Sequence, residues 1–133
     1  MRSSITIKSE IESLHRVEKF IDEIYDEYHF SDEVYGNILI ATLEAANNAI
    51  VHGNKKDFKK IVQIDFQVGD KKLELTVKDE GPGFNYKSIP DPTAPENLEK
   101  TSGRGIFLME KLSDNIDFLD NGRVVKLTFN LRC

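Results

Sequence analysis

Polar and apolar positions along the chain fall into short runs of distinct period. In Ser4-Ile5-Thr6-Ile7-Lys8 they alternate, the pattern of a short half-buried strand. Leu14, Val17, Ile21, Ile24 and Tyr28 then recur at steps of three and four, which draws an apolar stripe along one side of a helix. Ser31 opens a second helical segment. Its hydroxyl suits an N-cap, and Asp32 and Glu33 place negative charge at the positive end of the helix dipole. Val34, Ile38, Ala41, Ala45, Ala49 and Ile50 carry the apolar positions of this helix, and Gly53 is placed to end it as a C-cap. At roughly 22 residues it makes about six turns.

Beyond a lysine-rich connection, Val62, Ile64, Phe66 and Val68 alternate again. Gly69-Asp70 reads as a hairpin turn, and Leu73, Leu75 and Val77 carry the return strand. All four prolines lie between positions 82 and 95, which predicts one long loop over residues 81–102. Loops of that length in compact domains are commonly functional lids or disordered. A helix from residue 105 to about 113 follows, then two strands over 116–119 and 124–131 around Asn121-Gly122. The order β-α-α-β-β-loop-α-β-β predicts an α+β fold: one mostly antiparallel sheet with its helices packed on one face. The first strand is expected at an edge, or paired with another subunit.

Length and composition narrow the picture without redirecting it. The chain has 133 residues, enough for one domain with a sizeable core, and 39% of them are hydrophobic against 31% charged. That balance is ordinary for a globular chain. Apolar runs stop at four residues, at Ile38 and at Ile106, so neither a membrane span nor a signal peptide is expected. The single cysteine, Cys133, allows neither an internal disulfide nor a cysteine-built metal site, and reads as a free terminal thiol. With 23 acidic and 18 basic side chains the formal charge is -5, which argues against direct binding of nucleic acid. A cytoplasmic single domain over 1–133 is the expectation.

Three constellations carry candidate chemistry. Glu44, Asn48 and His52 stand at i, i+4 and i+8, stacked on one side of the second helix with Asn47 beside them. They sit among Ala45, Ala46 and Ala49 rather than among the lysines and glutamates of a solvated face, although a solvated face is the plain alternative. Next, Asp79-Glu80-Gly81-Pro82-Gly83 follows a strand. A carboxylate there can accept a hydrogen bond from an exocyclic amine, and flanking glycines let backbone approach a flat ligand. A simple turn would use the same residues. Last, Thr101-Ser102-Gly103-Arg104-Gly105 precedes a helix whose free N–H groups suit phosphate, with Arg104 able to add a charge-assisted contact. The same string is also a common way to start a helix.

Order and spacing together say more than each piece. A helix carrying Glu44-Ala-Ala-Asn-Asn48-Ala-Ile-Val-His52-Gly53, then a strand with Asp79-x-Gly81-x-Gly83, then a long loop and Gly103-Arg-Gly-Ile-Phe-Leu-Met109, resembles the three nucleotide-binding boxes of the GHKL ATPases. Within that superfamily the short chain and these motifs are most similar to the bacterial anti-sigma factor serine/threonine kinases. The resemblance implies a two-layer α/β sandwich of the Bergerat ATP-binding type. It implies that Asp79 accepts the adenine amino group, that Gly81 and Gly83 shape the base pocket, and that Asn48 binds Mg²⁺ through its amide oxygen. Gly103, Arg104 and Gly105 would line the phosphates of ATP under a lid of about residues 85–102. Glu44 would be the general base toward a serine hydroxyl, and His52 would support the motif structurally.

Asn47 beside Asn48 leaves two asparagines available for the metal role, with the i+4 register favouring Asn48. Arg123 stands before Val124-Val125 where the family often has a threonine near the adenine. The partners implied are a small anti-sigma antagonist protein as serine substrate, a sigma factor, and a second copy in a homodimer. Two other GHKL readings fit less well. A sensor histidine kinase would need a phosphoaccepting helix, and His15 reads as a surface residue; a topoisomerase or chaperone ATPase would need a transducer domain after residue 133. A non-catalytic module that binds a partner when ATP orders its lid is the alternative to a kinase.

Overall fold

The computed structural model describes residues 2–69, 71–82 and 101–131, and for 101–104 the backbone alone. Strand β1 (Arg2–Lys8) leads through a short 3₁₀ turn (Ile11–Ser13) into α1 (Leu14–Tyr28) and α2 (Asp32–Asn48). A π-helical turn (Ala49–Gly53) extends α2, and β2 (Ile61–Val68) and β3 (Lys72–Lys78) form a hairpin. Helix α3 (Thr101–Leu112) precedes β4 (Asn115–Leu119) and β5 (Val124–Asn130). The five strands run in the order β1-β2-β3-β5-β4, and every pairing is antiparallel. The predicted α+β class and element order hold. β1 occupies one edge.

Period-two alternation puts most of the large apolar residues of the sheet on one face, with Ile61 and Leu119 exposed on the other. Ile7 pairs with Val62, Ile64 with Val77, and Leu75 with Leu127, and each is buried. Against that face α1 buries Val17, Phe20, Ile21 and Ile24, while α2 buries Ile38, Ala41, Ala45 and Ala46. Phe20 meets Phe66 edge to face, with ring centroids 6.3 Å apart. The small residues of α2 let it lie close to the sheet, and burial at about 25 cal/mol per Å² of apolar surface is the main force holding the layers together.

The other sheet face is polar. There Glu74 lies 2.6 Å from Lys126 and 3.6 Å from Lys72. The hydrogen bond from Lys126 is the main reason its carboxyl is held below the usual range. Exposed pairs of this kind contribute ~0–1 kcal/mol, so they set the face's solubility more than its stability.

Local chemistry explains the helix boundaries. Ser31 caps α2 by accepting from the Val34 N–H at 3.2 Å, as predicted. Helix α1 ends where His29 turns left-handed at φ 54°, its N–H donating to Tyr25 O at 2.9 Å. The α1–α2 corner is fastened by aromatic packing of Tyr25 on Phe30 and Tyr35, and by Tyr25 donating to Asp32 and Tyr35 to Asp22. His15 is exposed on α1.

Candidate functional site

One end of the site forms where β3 runs out. The Asp79 N–H still reaches across to Arg123 O at 3.0 Å, carrying the ladder one step past the strand. Asp79 itself is 9% exposed, and its Oδ1 accepts the Gly81 N–H at 2.8 Å. Burial pushes its carboxyl above the ordinary 3.8, opposed by that Gly81 N–H and by the Arg123 charge. A buried carboxylate kept partly unpaired is an expensive arrangement, and such groups concentrate where a ligand supplies the missing donor.

The wall facing Asp79 comes from the end of α2. A methyl group on Gly53 would lie 2.5 Å from Asp79 Cγ and Oδ2. One on Gly81 would lie 2.0 Å from Gly53 O. The two segments therefore meet backbone to backbone. This corrects the reading of Gly53 as the C-cap, a position taken by Asn54. The π-helical turn closes instead through Asn54 N–H on Ala49 O at 2.8 Å and Lys56 N–H on Ile50 O at 2.7 Å. The left-handed residues are Lys55 and Lys56, at φ 53° and 58°. Gly53 is needed for its missing side chain rather than for its dihedral freedom.

Two residues not assigned to the site from sequence tie this end down. Arg123 donates through Nε to Gly81 O at 2.7 Å and through NH2 to Pro82 O at 3.1 Å, while NH1 reaches Asp120. Asn54, which is 1% exposed, accepts the Glu80 N–H at 2.7 Å and donates to Ile61 O and Ser9 Oγ.

The other end lies about two turns back along α2. Glu44 and Asn48 are half-buried on one line, and Gly105 of α3 abuts both: a methyl group there would lie 3.1 Å from Glu44 Oε2 and from Asn48 Nδ2, and 3.2 Å from Asn48 Oδ1. Neither side chain has a hydrogen-bond partner among the described residues. His52 lies inside the π-helical turn that follows Asn48 and is exposed without a hydrogen bond among the described residues. It therefore lends the motif no visible support. Asn47 is half-buried, but Asn48 is the asparagine that meets Gly105.

Helix α3 also begins earlier than predicted, at Thr101 rather than Gly105. Gly103 and Gly105 therefore lie inside the helix, where each is unfavourable by ~1 kcal/mol relative to alanine. Close packing of α3 on α2 at Gly105 offsets that penalty. The unpaired N–H groups suited to an anion belong to residues 101–104, not to Gly105. Gly83, the Arg104 side chain and the predicted lid up to residue 100 lie outside the described residues, and the last two lid residues, Thr101 and Ser102, belong to α3.

As a donor set, Glu44 and Asn48 present hard oxygens beside a helix start. Among the described residues no group of three or more His, Cys, Asp or Glu is placed to hold a metal. An isolated amide oxygen fits Mg²⁺, which takes one or two protein oxygens and completes its shell with phosphates and water.

Residues 7–129 match the family described as histidine kinase-like ATPase domain. The chain is 32% identical over 120 residues to the anti-sigma F factor of Clostridium perfringens, an alignment covering 88% of this chain and 84% of that one. It is 30% identical over 97 residues to the serine-protein kinase RsbW of Staphylococcus aureus, covering 67% of this chain and 61% of the relative's length. Among solved structures, the RsbU and RsbW domains of a Mycobacterium tuberculosis protein superpose with a TM-score of 0.69 at 18% identity, over 99% of this chain and 32% of that one, which is a likeness of fold.

Proposed function

This chain belongs to the histidine kinase-like ATPase domain family, and from that premise we propose that it is an ATP-dependent protein serine/threonine kinase. It phosphorylates a small anti-sigma antagonist protein and, in its other state, holds a sigma factor: a partner switch. The observation that carries the reading is that α2 serves both ends of one site. Gly53 closes on Asp79, and Glu44 and Asn48 close on Gly105. Along the helix these ends are on the order of 13 Å apart at 1.5 Å per residue, which suits an extended nucleotide.

In this reading Asp79 accepts the adenine amino group with its free oxygen, while Gly81 and Gly83 shape the base pocket. The backbone N–H groups at the start of α3, with Gly103, Arg104 and Gly105, bind phosphate. Asn48 holds Mg²⁺ through its amide oxygen. When bound, the ion neutralises charge on the phosphates. Glu44 takes the proton from the incoming serine hydroxyl, and with no hydrogen bond to it among the described residues its oxygens are open to that transfer. Phosphoryl transfer needs little else from side chains than position and charge.

No helix among the described residues is long and apolar enough to cross a membrane. A cytoplasmic setting, no direct contact with nucleic acid or membrane, and a homodimer belong to the same proposal. The test is capture of partners on the immobilised chain followed by γ-labelled ATP with Mg²⁺. Label on a small captured protein, lost with Glu44→Gln, is the expected result. Capture that depends on ATP but transfers no label would assign a non-catalytic binding module instead.

A further inference from the structure

We propose that Asn54 is a positioning residue for nucleotide binding: its buried amide holds the peptide that carries Asp79 against the end of α2. The inference rests on the reading of Asp79 as the base-binding carboxylate and adds a residue to it. Three hydrogen bonds converge on this amide from three parts of the chain. Oδ1 accepts the Glu80 N–H at 2.7 Å, and Nδ2 donates to Ile61 O at 2.9 Å and to Ser9 Oγ at 2.8 Å. The two backbone partners allow one orientation, since an N–H requires the oxygen and a carbonyl requires the nitrogen.

The location of those bonds gives the amide its role. The Glu80 N–H belongs to the peptide directly after Asp79, and Asn54 directly follows Gly53, whose backbone touches the Asp79 carboxylate. One bond therefore joins the immediate neighbours of both surfaces in that contact. The Glu80 carboxylate adds a second tie by accepting the Ile61 N–H at 2.8 Å. Arg123 grips the following residues, Gly81 and Pro82. Without the Asn54 amide, the segment would be held by Arg123, Gly81 and the Glu80–Ile61 tie, and Glu80 N–H and Ile61 O would each lose a partner at a partly buried point. Aspartate at 54 keeps the size and the acceptor but loses both donors, and it turns an oxygen toward Ile61 O.

The experiment measures ATP affinity by calorimetry, thermal midpoint, and phosphoryl transfer at saturating ATP for the full chain and for Asn54→Asp, Asn54→Ala, Glu80→Ala and Asp79→Ala. Both Asn54 variants are expected to bind ATP roughly ten- to a hundredfold more weakly. Their transfer rate at saturating ATP should stay within about threefold, since Glu44 and Asn48 are untouched. Glu80 is exposed, so Glu80→Ala folds in any case, and it should weaken binding a few-fold. An Asn54 variant with a lowered midpoint and unchanged ATP affinity would make the residue structural only and overturn the proposal. If neither Asn54 variant folds, unchanged affinity in Glu80→Ala overturns it. Asp79→Ala separates the two readings. Wild-type affinity there removes the base assignment and the Asn54 proposal with it, whereas lost affinity there alongside intact binding in Asn54→Asp removes the Asn54 proposal alone.

Discussion

The two ends of the site are built on opposite plans. Around Asp79 the described polar groups are tied to protein: the carboxylate to Gly81, Arg123 to Gly81 and Pro82, and Asn54 to Glu80, Ile61 and Ser9. Around Glu44 and Asn48 no such bond exists among the described residues, and Gly105, bare of a side chain, abuts both. Recognising a flat base rewards preorganisation, because a group already held in place loses little freedom on binding. In the roles proposed for Glu44 and Asn48, a base and a metal ligand must instead exchange partners as substrate arrives and leaves. Rigid hydrogen bonding belongs to the first task and free valence to the second.

The sharpest way to break this comparison is at the reaction end. Glu44→Gln should leave ATP affinity in place and lower transfer by ~10²–10⁴-fold, read with γ-labelled ATP. Unchanged transfer would remove Glu44 from the mechanism. A contrast between two glycines comes next. Gly81→Ala drives a methyl group to within 2.0 Å of a backbone carbonyl that cannot move aside, so a loss of about 3 kcal/mol and of ATP binding is expected in a melting and titration series. Gly105→Ala meets only the ends of two side chains at 3.1 Å, which can swing away, so its midpoint should fall little and its transfer rate more. Equal melting losses in the two would erase the distinction between a tied and a free end.

A smaller effect has an unusual sign. Asp79→Asn should lose ATP affinity yet raise the thermal midpoint by a few degrees, about what 1 kcal/mol produces at this chain length. Folded Asp79 holds its proton above the ordinary 3.8 because it is buried. Between 3.8 and that higher value the folded chain keeps a proton the unfolded chain has lost, so stability falls as pH rises through the window. The advantage of the asparagine variant should therefore widen from pH 4 toward neutrality, and a constant gap would contradict the burial argument. Smallest of all, Tyr35→Phe lies outside both ends and should leave binding and transfer unmoved. Its hydroxyl, pushed up to about 12 by donating to Asp22, stays protonated after the unfolded chain ionises near 10, so wild-type stability should fall more steeply between those values than the variant's.

Much of the scaffold was legible before folding. Period two marked β1, β2 and β3, period three and four marked α1 and α2, and Ser31 marked where α2 begins, because each signal lies within a few residues of what it specifies. Glu44 and Asn48 were legible for the same reason: one helical turn brings them together. The π-helical turn that holds His52 was not. Gly105 was read as a helix opener because a glycine before a helix usually is one, and its closeness to α2 has no local signature.

What folding alone settled are the meetings between distant residues. Asn54 binds Glu80 across 26 positions, and Arg123 binds Gly81 across 42. No period in the chain encodes such pairs. They exist because the sheet sets the end of β3 beside the turn before β5, and because packing on the sheet brings the end of α2 against Asp79. The letters announced which residues were small, charged or amide-bearing; burial and close approach chose which of them would act together.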